Sequence, residues 1–275
     1  MHPVIQHILE RKNKQVPVND GRKIALLLFG GVMTGIRGCA AAAALQELGL
    51  AGAFDAIYTG SAGFLNASCF LAGDSKVGTS VYYDDLSGRK FLNPFRIWNV
   101  ANIDYLMDIM KTGKTGDPAR LWVSHTQLYA RFTNIRKNRA KYFEVHSFPG
   151  EKYFEIAKAA VSIPYLQPGA IKLRRAYCKD GDVTDKDSLE ELNYILASGA
   201  TDILIIYNRP EQKIINMPLR ELLNFEHPNR IYEIAPNLEW KLSRFETNSE
   251  KLKIAATQMG QKVMDEFGGG EFRLI

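Results

Sequence analysis

The chain has 275 residues, of which 46% are hydrophobic and 24% are charged. That balance excludes a disordered or collagen-like chain and is typical of a soluble globular protein. Lys plus Arg number 35 and Asp plus Glu 30, so the formal charge of +5 favours approach to an anionic surface without indicating nucleic acid. No run approaches the roughly 18 apolar residues that span a membrane. The N-terminus lacks the apolar stretch of a signal peptide, so we expect a cytoplasmic protein.

The length fits one large domain or two modest ones. No linker rich in proline or serine divides the middle of the sequence. We therefore predict one domain over residues 1–275, with its core at about 22–267. The cysteines Cys39, Cys69 and Cys178 show no CxxC spacing, and we interpret them as buried, reduced thiols.

The first part of the sequence alternates strand and helix patterns. After a short helix in the first twenty residues, the predicted elements are Ile24–Phe29, Cys39–Leu48, Phe54–Tyr58 and Phe64–Ala72. The apolar run at Ile24 is typical of a strand buried on both faces. Turns rich in glycine, Gly30–Gly38 and Gly60–Gly63, join each strand to its helix. This order predicts a mainly parallel α/β sheet.

The later part of the sequence is less regular. An aromatic-rich stretch between residues 82 and 122 is a candidate cover for a site. The sequence predicts a helix at Ile103–Met110 and then a hairpin over residues 128–145, with a basic turn at Arg136–Lys141. A helix at Tyr153–Val161 is ended by Pro164, and a further helix is opened by a capping box between Asp187 and Glu190. A strand at Ile203–Tyr207 and a last helix at about 249–267 follow. The last helix carries one apolar face: Leu252, Ala256, Met259, Val263 and Phe267.

Ser61 is the first residue that could carry chemistry. It follows a predicted strand, precedes a helix and stands between the small residues Gly60, Ala62 and Gly63. A nucleophile elbow requires that context, because the strained turn leaves no room for bulky neighbours. The following helix would also direct N–H groups at developing negative charge. The alternative is a serine that only caps the helix.

The turn Gly30–Gly38 is the second candidate. A glycine-rich turn between strand and helix can aim backbone N–H groups at a phosphate or an oxyanion. No Gly-Lys-Ser/Thr follows and GxGxxG is absent, so nucleotide binding is a distant alternative. A tight turn without a ligand, with Arg37 as a packing residue, is also compatible with the sequence.

Asp180 and His227 are the candidate partners of Ser61. Asp180 lies in YCKDGDVTD, where Asp182 and Asp185 suggest calcium, but the loop lacks EF-hand spacing and its final glutamate. We therefore predict no metal and no cofactor. His227 is the one histidine late enough for a Ser–Asp–His order, yet only two strands precede Ser61, which argues against the usual hydrolase arrangement.

Taken together, six segments resemble the patatin-like phospholipase family, particularly its bacterial branch. In order they are LLLFGGVMTGIRGCAAAAALQELGL, IYTGSAGFLNA, KAAVSIPYLQP, YCKDGDVTD, ASGATDILIIYNRP and LSRFETNSEKLKIAATQMGQKVMDEF. The resemblance covers roughly residues 22–267. It implies a three-layer α/β/α patatin-like fold with a mainly parallel central sheet.

The resemblance also implies site residues and an activity. Ser61 matches the nucleophile and Asp180 its partner in a Ser–Asp dyad for acyl-ester hydrolysis. The oxyanion loop is matched by Gly31, Gly35, Ile36, Arg37 and Gly38, where we expect Arg37 to anchor the loop. This sequence departs from the family pattern at Thr59, Met33, Thr34 and Asp182.

The expected substrate is a lipid or small acyl ester, with peripheral contact to an anionic membrane through Arg136, Lys137, Arg139 and Lys141. Two alternatives remain open. One is a patatin-like protein that binds without catalysis, and the other is an esterase that uses His227.

Overall fold

The computed structural model describes residues 1–14, 17–96, 99–114, 117–163, 169–181, 188–210 and 229–274. Pro164, Asp182, Asp185 and His227 lie outside these residues, as does Asp187 with its predicted capping box. The helices are α1 Pro3–Glu10, α2 Ile36–Glu47, α3 Ala62–Ala72, α4 Ser75–Ser80, α5 Ile103–Ile109, α6 Pro118–Trp122, α7 Tyr153–Ala160, α8 Ser188–Ala197 and α9 Ser249–Glu266. The strands are β1 Ile24–Leu28, β2 Ala56–Gly60, β3 Gln127–Asn134, β4 Arg139–Glu144, β5 Ile171–Leu173, β6 Ala176–Asp180, β7 Asp202–Ile206 and β8 Ile231–Ile234.

The central part of the sheet is parallel, as the alternating pattern predicts. In the described residues β3, β2, β1, β7 and β8 lie side by side in that order, and every neighbouring pair among them is parallel. Antiparallel strands extend the sheet beyond β3: the predicted hairpin is β3 with β4, and β5 with β6 forms a second one. The sequence pattern did not predict β5 and β6, because both are short and only partly apolar.

Two edges of β3 explain how the antiparallel part is attached. β4 pairs with Tyr129–Asn134 along one edge, so the other edge must hold both β2 and β6. β2 pairs with it up to Arg131, and β6 pairs with it from Phe132 onward in the opposite direction. The carboxyl ends of β2 and β6 therefore meet beside Arg131 and Phe132 of β3.

The sheet is covered on both faces, which accounts for the apolar run in β1. Ile24, Leu26 and Leu28 belong to a core shared with α2 and α9, whereas Ala25 and Leu27 face a second core under α8. Successive side chains of a strand point to opposite faces, so a strand between two cores is apolar throughout. All five positions of the predicted apolar face of α9 are buried, which confirms that prediction.

The second helix starts earlier than the sequence suggested. We expected a helix from Cys39, but α2 begins at Ile36, and residues 32–35 form a short 3-10 turn before it. Gly38 therefore lies inside the helix. A Cβ on Gly38 would lie 2.9 Å from Asn208 Oδ1, so this glycine provides close approach rather than turn geometry.

All three cysteines are thiols in the interior of the protein. Cys39, Cys69 and Cys178 are free and buried, as predicted. Burial raises the pKa of Cys39 to about 12 and that of Cys178 to about 11, so both thiols stay protonated near neutral pH.

Across the described ranges, none of the helices combines the length and the apolar character that a membrane crossing requires.

A buried arginine fixes the N-terminal segment to the sheet. Arg11 has no exposed surface, and its guanidinium bonds the carboxylates of Asp20 and Asp55 at 2.7 Å each and the Ala53 carbonyl at 3.1 Å. Asp55 in turn accepts the Ile24 N–H at 2.7 Å, at the start of β1. The Arg11 guanidinium holds the pKa of Asp20 well below its usual range.

We predict that Arg11→Met lowers the free energy of unfolding by about 1–3 kcal/mol, because two partly buried carboxylates lose charged hydrogen bonds and only Asp20 keeps another cation, Arg22. Since the native-state pKa of Asp20 is lowered, its stabilising contribution is present above about pH 4 and is lost in acid. Urea unfolding at pH 7 and at pH 3 measures both effects, and the difference between the proteins should shrink at pH 3. The exposed pair of Arg273 and Glu271 supplies the control, since Arg273→Met should leave stability unchanged.

Candidate active site

Ser61 is the single residue between β2 and α3, as a nucleophile elbow requires. Its backbone angles are φ 52° and ψ −134°, a conformation that L residues rarely adopt. The side chain makes no capping hydrogen bond to α3, so the alternative of a helix-capping serine is wrong. Strain of this kind costs of order 1–3 kcal/mol and occurs preferentially at functional sites.

Two glycines make room for this turn. A Cβ on Gly30 would lie 2.4 Å from Ser61 Cβ and 3.1 Å from its Oγ. A Cβ on Gly63 would lie 2.4 Å from the Leu28 carbonyl oxygen, where α3 crosses the end of β1. Both distances are shorter than real side chains tolerate, so any larger residue would displace the serine or the helix.

The structure brings Asp180 to the same place as Ser61. Gly60, the last residue of β2, pairs with Arg131, and Asp180, the last residue of β6, pairs with the adjacent Phe132. Because β2 and β6 run toward each other along one edge of β3, Ser61 and Asp180 lie where their ends meet. Asp180 has no exposed surface.

The Asp180 backbone is tied to the segment that precedes β5. Its N–H donates to the Ser162 carbonyl at 3.2 Å, within the VSIP part of the sequence. Within the described chain, no hydrogen bond joins the side chains of Ser61 and Asp180. Acid–base pairs are often separated in this way until a substrate positions the reacting atoms.

The oxyanion loop, residues 30–38, is strained as well. Gly31 has φ 157°, and Val32 has φ 56°, which is a genuine outlier for a β-branched residue. Thr34 closes the turn, because its Oγ donates to the Gly31 carbonyl at 2.8 Å. The departures at Met33 and Thr34 are therefore accommodated in a short 3-10 turn.

The hydrogen bonds of this loop show which of its N–H groups already have acceptors. Gly38 N–H donates to Asn208 Oδ1 at 2.7 Å, and Ile36 N–H donates to the carbonyls of Met33 and Thr34. Both groups are thus already engaged. In the described chain, the Gly31 N–H has no acceptor, and the Ala62 N–H, at the start of α3, has none within its own helix.

Arg37 and Asn208 hold the loop against the rest of the protein. Arg37 is buried, and its guanidinium donates to the Asn208 carbonyl at 2.9 Å and to the Trp240 carbonyl. This is the anchoring role that we expected of it. Asn208 was not identified as a site residue from the sequence, although it lies in the segment ASGATDILIIYNRP.

A narrow apolar cavity of about 50 Å³ opens at Ser61. Its walls come from α3, the π-helical turn Val81–Asp85, α5 and the oxyanion loop, and include Met33, Leu65, Val81, Phe91, Leu106 and Met110. Part of the predicted aromatic-rich cover thus lines this space. Thr59 is not among the lining residues, since its hydroxyl donates to the Tyr129 carbonyl at 3.2 Å within the sheet.

The basic turn between β3 and β4 lies beyond the end of the sheet at which β2 leads into Ser61. β3 is parallel to β2 and continues for three residues past Arg131, the partner of Gly60. The turn after it exposes Ile135 together with four cations: Arg136, Lys137, Arg139 and Lys141. The guanidinium of Arg136 lies 4.7 Å from the centre of the Tyr177 ring.

Comparison with known proteins supports the fold. No family model and no curated protein matches the sequence. VipD from Legionella pneumophila has a TM-score of 0.52 at 13% identity, over 90% of this chain and 67% of that one. The type III effector protein ExoU has a TM-score of 0.48 at 13% identity, over 90% of this chain and 53% of that one.

The fold is patatin-like. The three-layer arrangement predicted from the sequence, a mainly parallel sheet between helices, is confirmed by the likeness to VipD and by the strand order. At 13% identity that likeness concerns the fold alone.

We predict that Gly30→Ala lowers the rate of any reaction at Ser61 by roughly 10²-fold or more, because the new methyl group would displace the serine. Labelling by a fluorescent alkyl phosphonate measures this rate. Gly270→Ala is the matched control, since a Cβ there would meet nothing within 4 Å. Equal labelling of the two variants would contradict the close packing of Gly30 on Ser61.

Proposed function

We propose that the protein is a serine acyl-ester hydrolase of the phospholipase A type that acts on lipid or small acyl esters. One observation carries this proposal: Ser61 occupies a strained elbow that faces an apolar cavity, and the end of β6 presents Asp180 beside it. A serine with only a structural role would not need a strained backbone.

In the proposed reaction Ser61 Oγ attacks the ester carbonyl while Asp180 accepts the hydroxyl proton. The alcohol leaves after Asp180 returns the proton to it, and an acyl-serine remains. Water then attacks the acyl-serine with Asp180 again as the base, which releases the fatty acid and restores both residues. Every proton in this cycle passes through the one carboxylate.

Negative charge on the tetrahedral intermediate would be stabilised by the N–H groups of Gly31 and Ala62. Ala62 directly follows the nucleophile, which is the usual position of one oxyanion donor in serine hydrolases with an elbow. The N-terminus of α3 adds its dipole at the same point. Loss of a single donor of this kind typically costs ~10²–10³ in rate.

The cavity argues for an apolar acyl group. Its walls are almost entirely aliphatic or aromatic, so they favour an apolar group next to the ester carbonyl. The resemblance in sequence and the patatin-like fold agree with a lipid substrate, without specifying its headgroup.

We predict that Ser61→Ala and Asp180→Asn each abolish ester hydrolysis while the proteins remain folded. Ser61→Ala removes the nucleophile, and Asp180→Asn keeps the shape of the side chain but removes the base. Hydrolysis of a short-chain p-nitrophenyl ester and phosphonate labelling measure activity, and circular dichroism checks the fold. Turnover by either folded variant would contradict the dyad.

The two alternatives, an esterase that uses His227 and a protein that binds lipid without catalysis, predict different results in these assays. If His227 were the base, His227→Ala would be inactive, whereas the Ser–Asp mechanism expects nearly normal activity. If the protein only bound lipid, the wild-type protein would stay unlabelled by the phosphonate although well folded.

The hairpin turn is the part of the protein that we propose contacts an anionic membrane. The exposed Ile135 and its neighbouring cations lie beyond the sheet edge that carries Ser61, so contact there would keep the site close to its substrate. Each cation near an anionic surface contributes about 1 kcal/mol.

We predict that replacing Arg136, Lys137, Arg139 and Lys141 by Gln abolishes binding to vesicles that contain phosphatidylserine. A matched pair tests position rather than total charge: Arg136→Gln with Lys137→Gln should weaken binding at least tenfold, at ~1 kcal/mol per charge. Lys12→Gln with Lys14→Gln, which removes the same charge elsewhere, should have little effect. Vesicle co-sedimentation measures both, and unchanged binding of the fourfold variant would refute the contact.

A further inference from the structure

Asn208 connects both ends of the oxyanion loop. It lies two residues beyond the end of β7 and has no exposed surface. Its Nδ2 donates to the carbonyl of Phe29 at 2.5 Å and to that of Gly30 at 2.9 Å, while its Oδ1 accepts the Gly38 N–H at 2.7 Å. The Asn208 side chain thus bonds the start of the loop, at Phe29 and Gly30, and the first turn of α2, at Gly38.

The chemistry of these bonds selects an asparagine. The two carbonyls need donors and the Gly38 N–H needs an acceptor, and a primary amide offers both from one short, planar group. Aspartate would set a negative oxygen against two carbonyl oxygens. The absence of a Cβ on Gly38 allows the amide to come this close, since that atom would lie 2.9 Å from Oδ1.

The bond to Gly30 also determines where the next N–H points. The peptide unit between Gly30 and Gly31 is planar and trans, so its carbonyl and its N–H point in opposite directions. Because Asn208 holds the Gly30 carbonyl, the Gly31 N–H points away from Asn208. Ser61 packs against Gly30, since a Cβ on Gly30 would lie 3.1 Å from the Ser61 Oγ.

The backbone of Asn208 is itself held in place. Its carbonyl accepts a hydrogen bond from Arg37 Nη1 at 2.9 Å, and Arg37 belongs to the same loop and helix. Loop and strand end therefore support each other in a closed set of hydrogen bonds. Such preorganisation is what an oxyanion site needs, because its donors must not reorient during the reaction.

We propose that Asn208 is the positioning residue that aims the Gly31 N–H at the oxyanion of the reaction. The inference rests on the proposed hydrolase function and adds a residue to it. Asn208 touches no reacting atom in this scheme and acts through the backbone of Gly30 and Gly31.

The test compares transition-state and ground-state binding in two Asn208 variants. Asn208→Leu keeps the approximate shape without hydrogen bonds, and Asn208→Asp keeps the acceptor while it removes both donors. For both we expect kcat to fall ~10²–10³-fold with KM nearly unchanged. Affinity for an alkyl trifluoromethyl ketone, which forms a tetrahedral oxyanion with a serine, should fall by a similar factor. Affinity for a non-hydrolysable ether lipid should not change.

Thr126→Val is the control for general destabilisation. It removes another buried hydrogen bond, from Thr126 Oγ to the Phe54 carbonyl at 2.9 Å, before the start of β3. It should leave kcat and ketone affinity unchanged. If Asn208→Leu does not fold, Asn208→Ser carries the same test, because its hydroxyl can replace one donor and should give a smaller loss.

The outcomes separate this inference from the proposed function. Wild-type kcat and ketone affinity in a folded Asn208 variant would overturn the inference while the hydrolase stands. A parallel loss of ketone and ether binding would also overturn it, since it would show a collapsed cavity. Absence of phosphonate labelling in the wild-type protein would overturn the hydrolase itself.

Discussion

The site depends on one edge of β3 that is shared by two strands running toward each other. β2 ends beside Arg131 and β6 ends beside Phe132, so each strand delivers its last side chains to one point of the sheet. In a wholly parallel sheet the carboxyl ends of all strands lie at one end of the sheet, whereas here β6 approaches the end of β2 from the opposite direction. The antiparallel hairpin of β5 and β6 therefore brings Asp180, the proposed base, to the end of the parallel strand that precedes Ser61.

The strain at this junction is maintained by packing around it. Ser61 and Val32 both have positive φ, in two segments that lie against each other through Gly30. Neither conformation would persist in an isolated turn. Here the buried strand β1 fixes the start of the oxyanion loop, and α3 begins immediately after Ser61. The surrounding core thus stabilises an arrangement that local preferences disfavour, as is common where a protein must hold groups ready to react.

The sequence predicted the parts of this arrangement that local patterns encode. The apolar run of β1, the small residues around Ser61 and the spacing along α9 each have a single physical explanation, and the structure agrees with them. The sequence did not reveal β5 and β6, because both strands are too short and too polar to form a periodic pattern. It also did not reveal Asn208, because the contacts that make this residue important join it to residues about 170 to 180 positions away. The start of α2 was placed three residues late because Gly38 suggested a turn, whereas this glycine lets the Asn208 amide come close.

The same contacts explain how the loop tolerates its departures from the patatin-like pattern. The residues Val32 to Thr34 form a 3-10 turn that is closed by Thr34 on the Gly31 carbonyl and attached through the Met33 N–H to the Arg244 carbonyl. The two ends of the loop are bound by Asn208, so the departures at Met33 and Thr34 need not move the Gly31 N–H. Met33 instead contributes its side chain to the cavity wall. The middle of this loop can therefore shape the space next to Ser61 while the peptide unit between Gly30 and Gly31 keeps its direction.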